Sequence, residues 1–165
     1  MNYQEINAAI EDGLYRNKSA EKIFDQLASE VEDHEYLKTR IKQKTFEKTK
    51  SQNKVYHITL IILLASSLII KALALTEAAT SGFSLQPQSL ISLIITGVVI
   101  WGIIKYQEWG FQLIFWFGLI SLIFQLYRGA AYGSFDILSF ILTLLSVIIS
   151  RILLNAYFPK KKSKA

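Results

Sequence analysis

The sequence predicts an all-α polytopic membrane protein, with four transmembrane helices preceded by a short cytoplasmic helical lobe. Three observations carry that prediction. Apolar residues make up 52% of the 165, yet they segregate, leaving residues 1–56 mostly polar and 57–158 mostly apolar. The apolar part divides into stretches at 58–76, 89–104, 111–127 and 135–158, against the about 17–25 residues a helix needs to cross a bilayer core. Ahead of them, apolar residues recur at helical spacing and not in runs.

The lobe comes first along the chain. Residues 3–16 place Tyr3, Ile6, Ile10 and Leu14 on one helical stripe. Gly13 weakens the end of that helix and Asn17 helps close it. Ser19 is a good N-cap, with Lys22 where a capping box would carry an acid. The next helix, 20–32, shows Ile23, Phe24, Leu27 and Val31 on one face. Asp33 caps a third helix that is expected to run from residue 34 straight into the membrane. Two short helices build little core below about 40 residues. They must lean on the third helix, on the membrane surface or on a partner.

Charge is divided along the lobe. Residues 1–37 hold nine acids and three bases, and residues 38–54 hold seven bases and one acid. Such a basic collar beside a membrane is attracted to anionic headgroups at about 1 kcal/mol per charge. The expected headgroup contacts are Lys42, Lys44, Lys48, Lys50 and Lys54, with Lys160, Lys161 and Lys162 of the basic tail, 159–165. The acidic helices would then compete with lipid for the basic helix. The plain alternative is that this charge only sets topology.

Lys and Arg cross membranes poorly, so their placement orients the chain. With the N-terminus inside, the N-terminal segment, Lys105 and the tail all lie inside, and the loop 77–88 carries no base. Both termini are therefore expected to be cytoplasmic. Tyr56, Trp101, Tyr106, Trp109 and Tyr157 would mark the inner interface, and Tyr127 and Tyr132 the outer. Residues 1–55 hold no apolar run, so no cleavable signal is expected and the first span serves as the insertion signal. A bacterial inner membrane is the expected location.

Within the spans, polar groups are costly and informative. Lys71 lies in the first stretch, six residues before Glu77, or about 9 Å along a helix. Lys71, Glu77, Arg128 and Asp136 are the candidate intramembrane charge cluster, with Asp136 the expected partner of Lys71. Arg151 is expected to snorkel to the inner headgroups or meet Glu108. Gly118, Ser121 and Gln125 on the third span, and Ser139, Thr143, Ser146 and Ser150 on the fourth, form small and hydroxyl stripes suited to close helix packing. The same stripes could line a pore. The second and third spans, joined by a very short turn, are expected to form a helical hairpin. The segment 129–133 has GxxxG spacing but falls in an expected loop, and is read as turn chemistry.

Chemistry beyond this is sparse. The chain has no cysteine, which excludes thiol chemistry and disulfides. His34 stands among acids, but Lys38 occupies the position where a second histidine would complete a helical metal pair, so a solvated helix end is expected. No catalytic residue, cofactor or metal is expected, and no carboxylate lies near the middle of any span. The expected function is non-enzymatic, with a four-helix transmembrane bundle, 57–158, anchoring a lobe that binds a protein partner or anionic lipid, with no nucleic acid involved. Homo-oligomerisation is compatible with it. The alternative is a small oligomeric transporter or channel with a charged site in the outer leaflet.

Overall fold

A computed structural model describes residues 1–81, 87–133 and 136–159. Among them are seven helices and no strand. The chain divides into two compact units, Met1–Lys54 and Val55–Ala165.

The first unit is a small three-helix cluster. Helix α1 (Tyr3–Tyr15) begins with a capping box, in which the Asn2 side chain accepts from the Gln4 and Glu5 amides and Glu5 accepts in return from the Asn2 amide. It ends where Asn17 adopts a left-handed φ of 56°. The Asn17 amide donates to Leu14 O and the Lys18 amide to Gly13 O, a Schellman closure. Helix α2 (Ala20–Leu27) starts at Ser19, whose hydroxyl accepts from the Lys22 amide. It stops earlier than residue 32, because Ala28 caps it and the chain turns through 28–30. Val31 is buried all the same.

Helix α3 (His34–Gln52) is capped by Asp33, which accepts from the Tyr36 amide. It does not run on unbroken. The side chain of Asn53 donates to Thr49 O and its amide turns back onto the same turn, which ends the helix. Ile6, Ile10 and Leu14 from α1, Ile23 and Leu27 from α2, Val31, and Leu37 and Ile41 from α3 form one buried core. The third helix is thus what the first two lean on. Gly13 lets α2 approach closely, since a Cβ there would lie 2.8 Å from Ile23 Cγ1.

The second unit holds α4 (Lys54–Thr80), α5 (Pro87–Ile104), α6 (Glu108–Tyr132) and α7 (Ile137–Tyr157). Three segments, Lys54–Glu77, Glu108–Ala131 and Ile137–Tyr157, are long and apolar enough to cross a membrane, and Leu90–Ile104 is a shorter apolar helix. Each helix outruns or shifts its expected boundaries. Pro87 opens α5, a position where its missing amide costs nothing. Helix α6 continues through Ala130 and Ala131, strong helix formers, so Gly129 is helical and not in a loop. Gly133, at φ 65°, ends it by returning its amide to Gly129 O.

Helices α5 and α6 form the expected hairpin. Its turn is a second Schellman closure, with the Tyr106 amide donating to Ile103 O and the Gln107 amide to Gly102 O. Tyr106 takes the left-handed position at φ 54°, which costs a residue with a Cβ about 1–2 kcal/mol. Gly110 packs on the backbone of α5, and a Cβ there would sit 3.0 Å from both Gly102 C and Ile103 N. No flexible side chain can yield at that point. Gly110→Ala is expected to cost about 1–3 kcal/mol by overpacking. The check is faster hydrogen exchange of the amides flanking the turn in nanodiscs, with α7 unchanged.

Candidate functional site

Two polar arrangements stand out, one in each unit. In the lobe, the basic helix α3 is divided between two faces. Arg40, Lys44 and Lys48 follow one another at i, i+4, i+8 and face α1. Arg40 Nε donates to Asn7 Oδ1 at 2.7 Å. Lys44 Nζ pairs with Glu11 at 2.7 Å and with Glu47 at 3.5 Å. Lys48 Nζ donates to Leu14 O at 2.5 Å and to Asn17 Oδ1 at 2.9 Å, placing a cation on the carbonyl end of α1. This seam consumes three of the collar's cations internally. Lys42 and Lys50 lie away from the seam on α3, Lys54 opens α4, and all three are exposed. Lys38 lies over the Phe24 ring at 5.2 Å.

Of the expected headgroup contacts, then, Lys44 and Lys48 are held by α1, and Lys42, Lys50 and Lys54 face outward. Lys160, Lys161 and Lys162 lie outside the described residues. His34 Nε2 donates to Ala28 O, 2.9 Å away, and the ring packs edge-on against Phe24. Among the described residues, no group of His, Asp and Glu is placed to hold a metal.

The seam makes the lobe sensitive to pH. Its hydrogen bond to Lys44 and the lysine's charge hold the Glu11 carboxyl below its ordinary 4.5. The same bond holds Lys44 above its ordinary 10.5, with burial opposing. The lowered Glu11 value contributes stability that is present above 4.5 and lost as pH falls through the folded value. The raised Lys44 value contributes stability that is present below 10.5 and lost as pH rises through its folded value. Glu11→Gln is expected to lower the lobe's melting temperature at neutral pH and to match the unmodified protein once Glu11 is protonated. A thermal melt by circular dichroism at several pH values checks this.

In the second unit, the four expected cluster residues do not meet. Lys71 on α4 reaches α5, where its Nζ donates to Ser92 Oγ at 3.1 Å and to Thr96 Oγ1 at 3.0 Å. Asp136 caps α7 by accepting from the Ser139 amide at 3.1 Å. Glu77 and Arg128 are exposed, and among the described residues no ion pair joins any of the four. The physical reason is local. A carboxylate at a helix start is drawn to the free amides of that helix, and Lys71 finds hydroxyls on the neighbouring helix within reach. Arg151 rests its guanidinium 5.1 Å above the Phe115 ring, and Glu108 accepts from Gln112.

The packing stripes do come together. Gly118 lies against Val147 so closely that a Cβ would overlap its Cγ2. Gln125 Nε2 donates to Ser121 Oγ within α6 and to Thr143 Oγ1 across to α7, at 3.1 and 3.3 Å. Thr143, Ser146 and Ser150 donate back into their own helix, and Ser150 is fully buried. Hydroxyls turned onto their own helix's carbonyls, with Gly118 against Val147, let the two helices approach closely.

One feature of the second unit has only a weak sequence signal. His57 is buried at 3% exposure, with its ring 4.1 Å from Tyr106 and 5.9 Å from Phe111, edge-on to both, and 6.1 Å from Tyr157. Tyr106 and Tyr157 stack edge to face at 5.4 Å. These rings pack around the turn residue Tyr106, and burial raises its phenol pKa. Tyr106 and Tyr157 therefore pack inward, where headgroup contact was expected; Trp101, Trp109 and Tyr56 are the exposed aromatics of that end. No protein-family model, no curated protein and no solved structure matches this chain.

Proposed function

We propose that this chain is a non-enzymatic integral membrane protein of a bacterial inner membrane, in which four crossing helices anchor a cytoplasmic lobe that docks on anionic lipid. The observation that carries this reading is the sorting of the basic collar. One face of α3 is neutralised by α1, while Lys42 and Lys50 elsewhere on α3, and Lys54 next in the chain, are exposed. In this reading α5, whose 18 residues span about 27 Å as a helix, crosses as well, and both termini are cytoplasmic by the distribution of Lys and Arg. The close packing of α6 on α7 argues against a pore there.

Photo-crosslinking in native membranes tests the proposal, using the full chain and a variant lacking residues 1–37. Lipid adducts on α3 are expected in both, and more of them in the variant, where Lys44 and Lys48 are released. Protein adducts that vanish with the deletion, without lipid adducts on α3, would replace lipid by a protein partner recognised by α1 and α2.

A further inference from the structure

Lys71 carries an inference independent of the lobe. The lysine lies inside the span Lys54–Glu77, and a long side chain near a helix end usually snorkels outward. This one does not. Its ammonium is held between Ser92 and Thr96, five and nine residues beyond the start of α5 at Pro87. That depth is about 8–14 Å along the helix. The direction fits the geometry of α4, since side chains lean toward a helix N-terminus and so away from the nearer end of the span.

Among the described residues no opposite charge pairs with the Lys71 ammonium. Both acceptors are neutral hydroxyls. Thr96 gives its own proton to Ser92 O at 2.8 Å. The third ammonium proton and the Ser92 hydroxyl proton are donors for which no acceptor stands among the described residues. Two donors and one unit of positive charge converge between two helices, with no carboxylate to meet them.

We propose that Lys71, Ser92 and Thr96 form a binding site for a compact monovalent anion between α4 and α5. One cation balances one negative charge, which disfavours a dianion. A lone ammonium also recognises charge and not shape, unlike an arginine fork. Two sources share this chemistry: a free halide entering from water, and the phosphodiester of an anionic lipid drawn down by local thinning of the bilayer. Lys71 binds the anion through its third proton, Ser92 adds a hydroxyl donor, and Thr96 positions the ammonium.

The test uses the full chain in nanodiscs of zwitterionic lipid, with chloride as the probe and the line width of its 35Cl resonance as the readout. Lys71→Gln is compared with Lys105→Gln, which removes one charge elsewhere. A Ser92→Ala, Thr96→Ala double variant retains Lys71 and guards against misfolding of the lysine variants. The proposal expects a saturable excess broadening that Lys71→Gln abolishes, that Lys105→Gln leaves in place and that the double variant weakens. Persistence of that excess in nanodiscs containing phosphatidylglycerol identifies a free halide. Its loss there, with a photoactivatable phosphatidylglycerol crosslinked beside Lys71, identifies the headgroup. Equal broadening in Lys71→Gln and Lys105→Gln, together with equal lipid retention, would overturn the site.

Discussion

Leu37→Ala is expected to unfold the lobe and leave the membrane unit standing. Leu37 is fully buried where α1 and α2 both meet α3. Truncating such a side chain costs about 2–5 kcal/mol. A core of this size rarely supplies more than about 3–5 kcal/mol in total, so the loss is comparable to all the stability the lobe has. Hydrogen exchange of the full chain in nanodiscs should show α1 to α3 exchanging freely while α6 and α7 keep their protection. Tyr15→Ala, at a site 86% exposed, serves as the contrast. It should change stability by no more than about 0.5 kcal/mol. If Leu37→Ala were as mild as Tyr15→Ala, the three-helix core would not be what holds the lobe.

The second large effect concerns charge. Neutralising Lys42, Lys50 and Lys54 together, each to Gln, should weaken docking on anionic vesicles by about 3 kcal/mol, or about 150-fold, at about 1 kcal/mol per charge. The lobe's fold should survive, because all three side chains are exposed and none belongs to the buried core. Lys44→Gln and Lys48→Gln should do the reverse. They disrupt the hold of α1 on α3 and so lower the lobe's melting temperature, with a smaller direct effect on docking. Added salt should erase the difference between the triple variant and the unmodified lobe, since exposed charges are screened within about 10 Å at 0.1 M.

Much of the fold was legible because its signals are local. The stripes Ile6, Ile10, Leu14 and Ile23, Leu27 needed only helical spacing, and the caps at Ser19 and Asp33 needed only residue type. Helix ends were less legible where a side chain decides them. Nothing in the apolar pattern shows that Asn53 would close α3, or that 129–132 would stay helical until Gly133. The spans themselves are plain for three helices, while α5 sits at the length where hydropathy alone is weakest.

The sites were legible in composition and not in pairing. The sequence marks Lys71 as costly but is silent on which neighbour it faces, and opposite charge suggested Asp136. The observed partners, Ser92 and Thr96, are ordinary hydroxyls whose i, i+4 spacing gives them one face of α5. Likewise the basic collar reads as uniform in one dimension. Only the packing of α1 separates Arg40, Lys44 and Lys48 from Lys42, Lys50 and Lys54. The burial of His57 has only a weak sequence signal, since its aromatic neighbours come from the α5–α6 turn, α6 and the end of α7.

The most direct test of the central claim is vesicle flotation of the isolated lobe, residues 1–54, a compact unit with its own core. Phosphatidylglycerol vesicles are compared with phosphatidylcholine vesicles across a range of salt. The account predicts that the lobe floats with the anionic vesicles alone, that binding falls as salt rises, and that the Lys42, Lys50, Lys54 triple variant stays behind. Equal flotation with both lipids, or none with either at low salt, would contradict it.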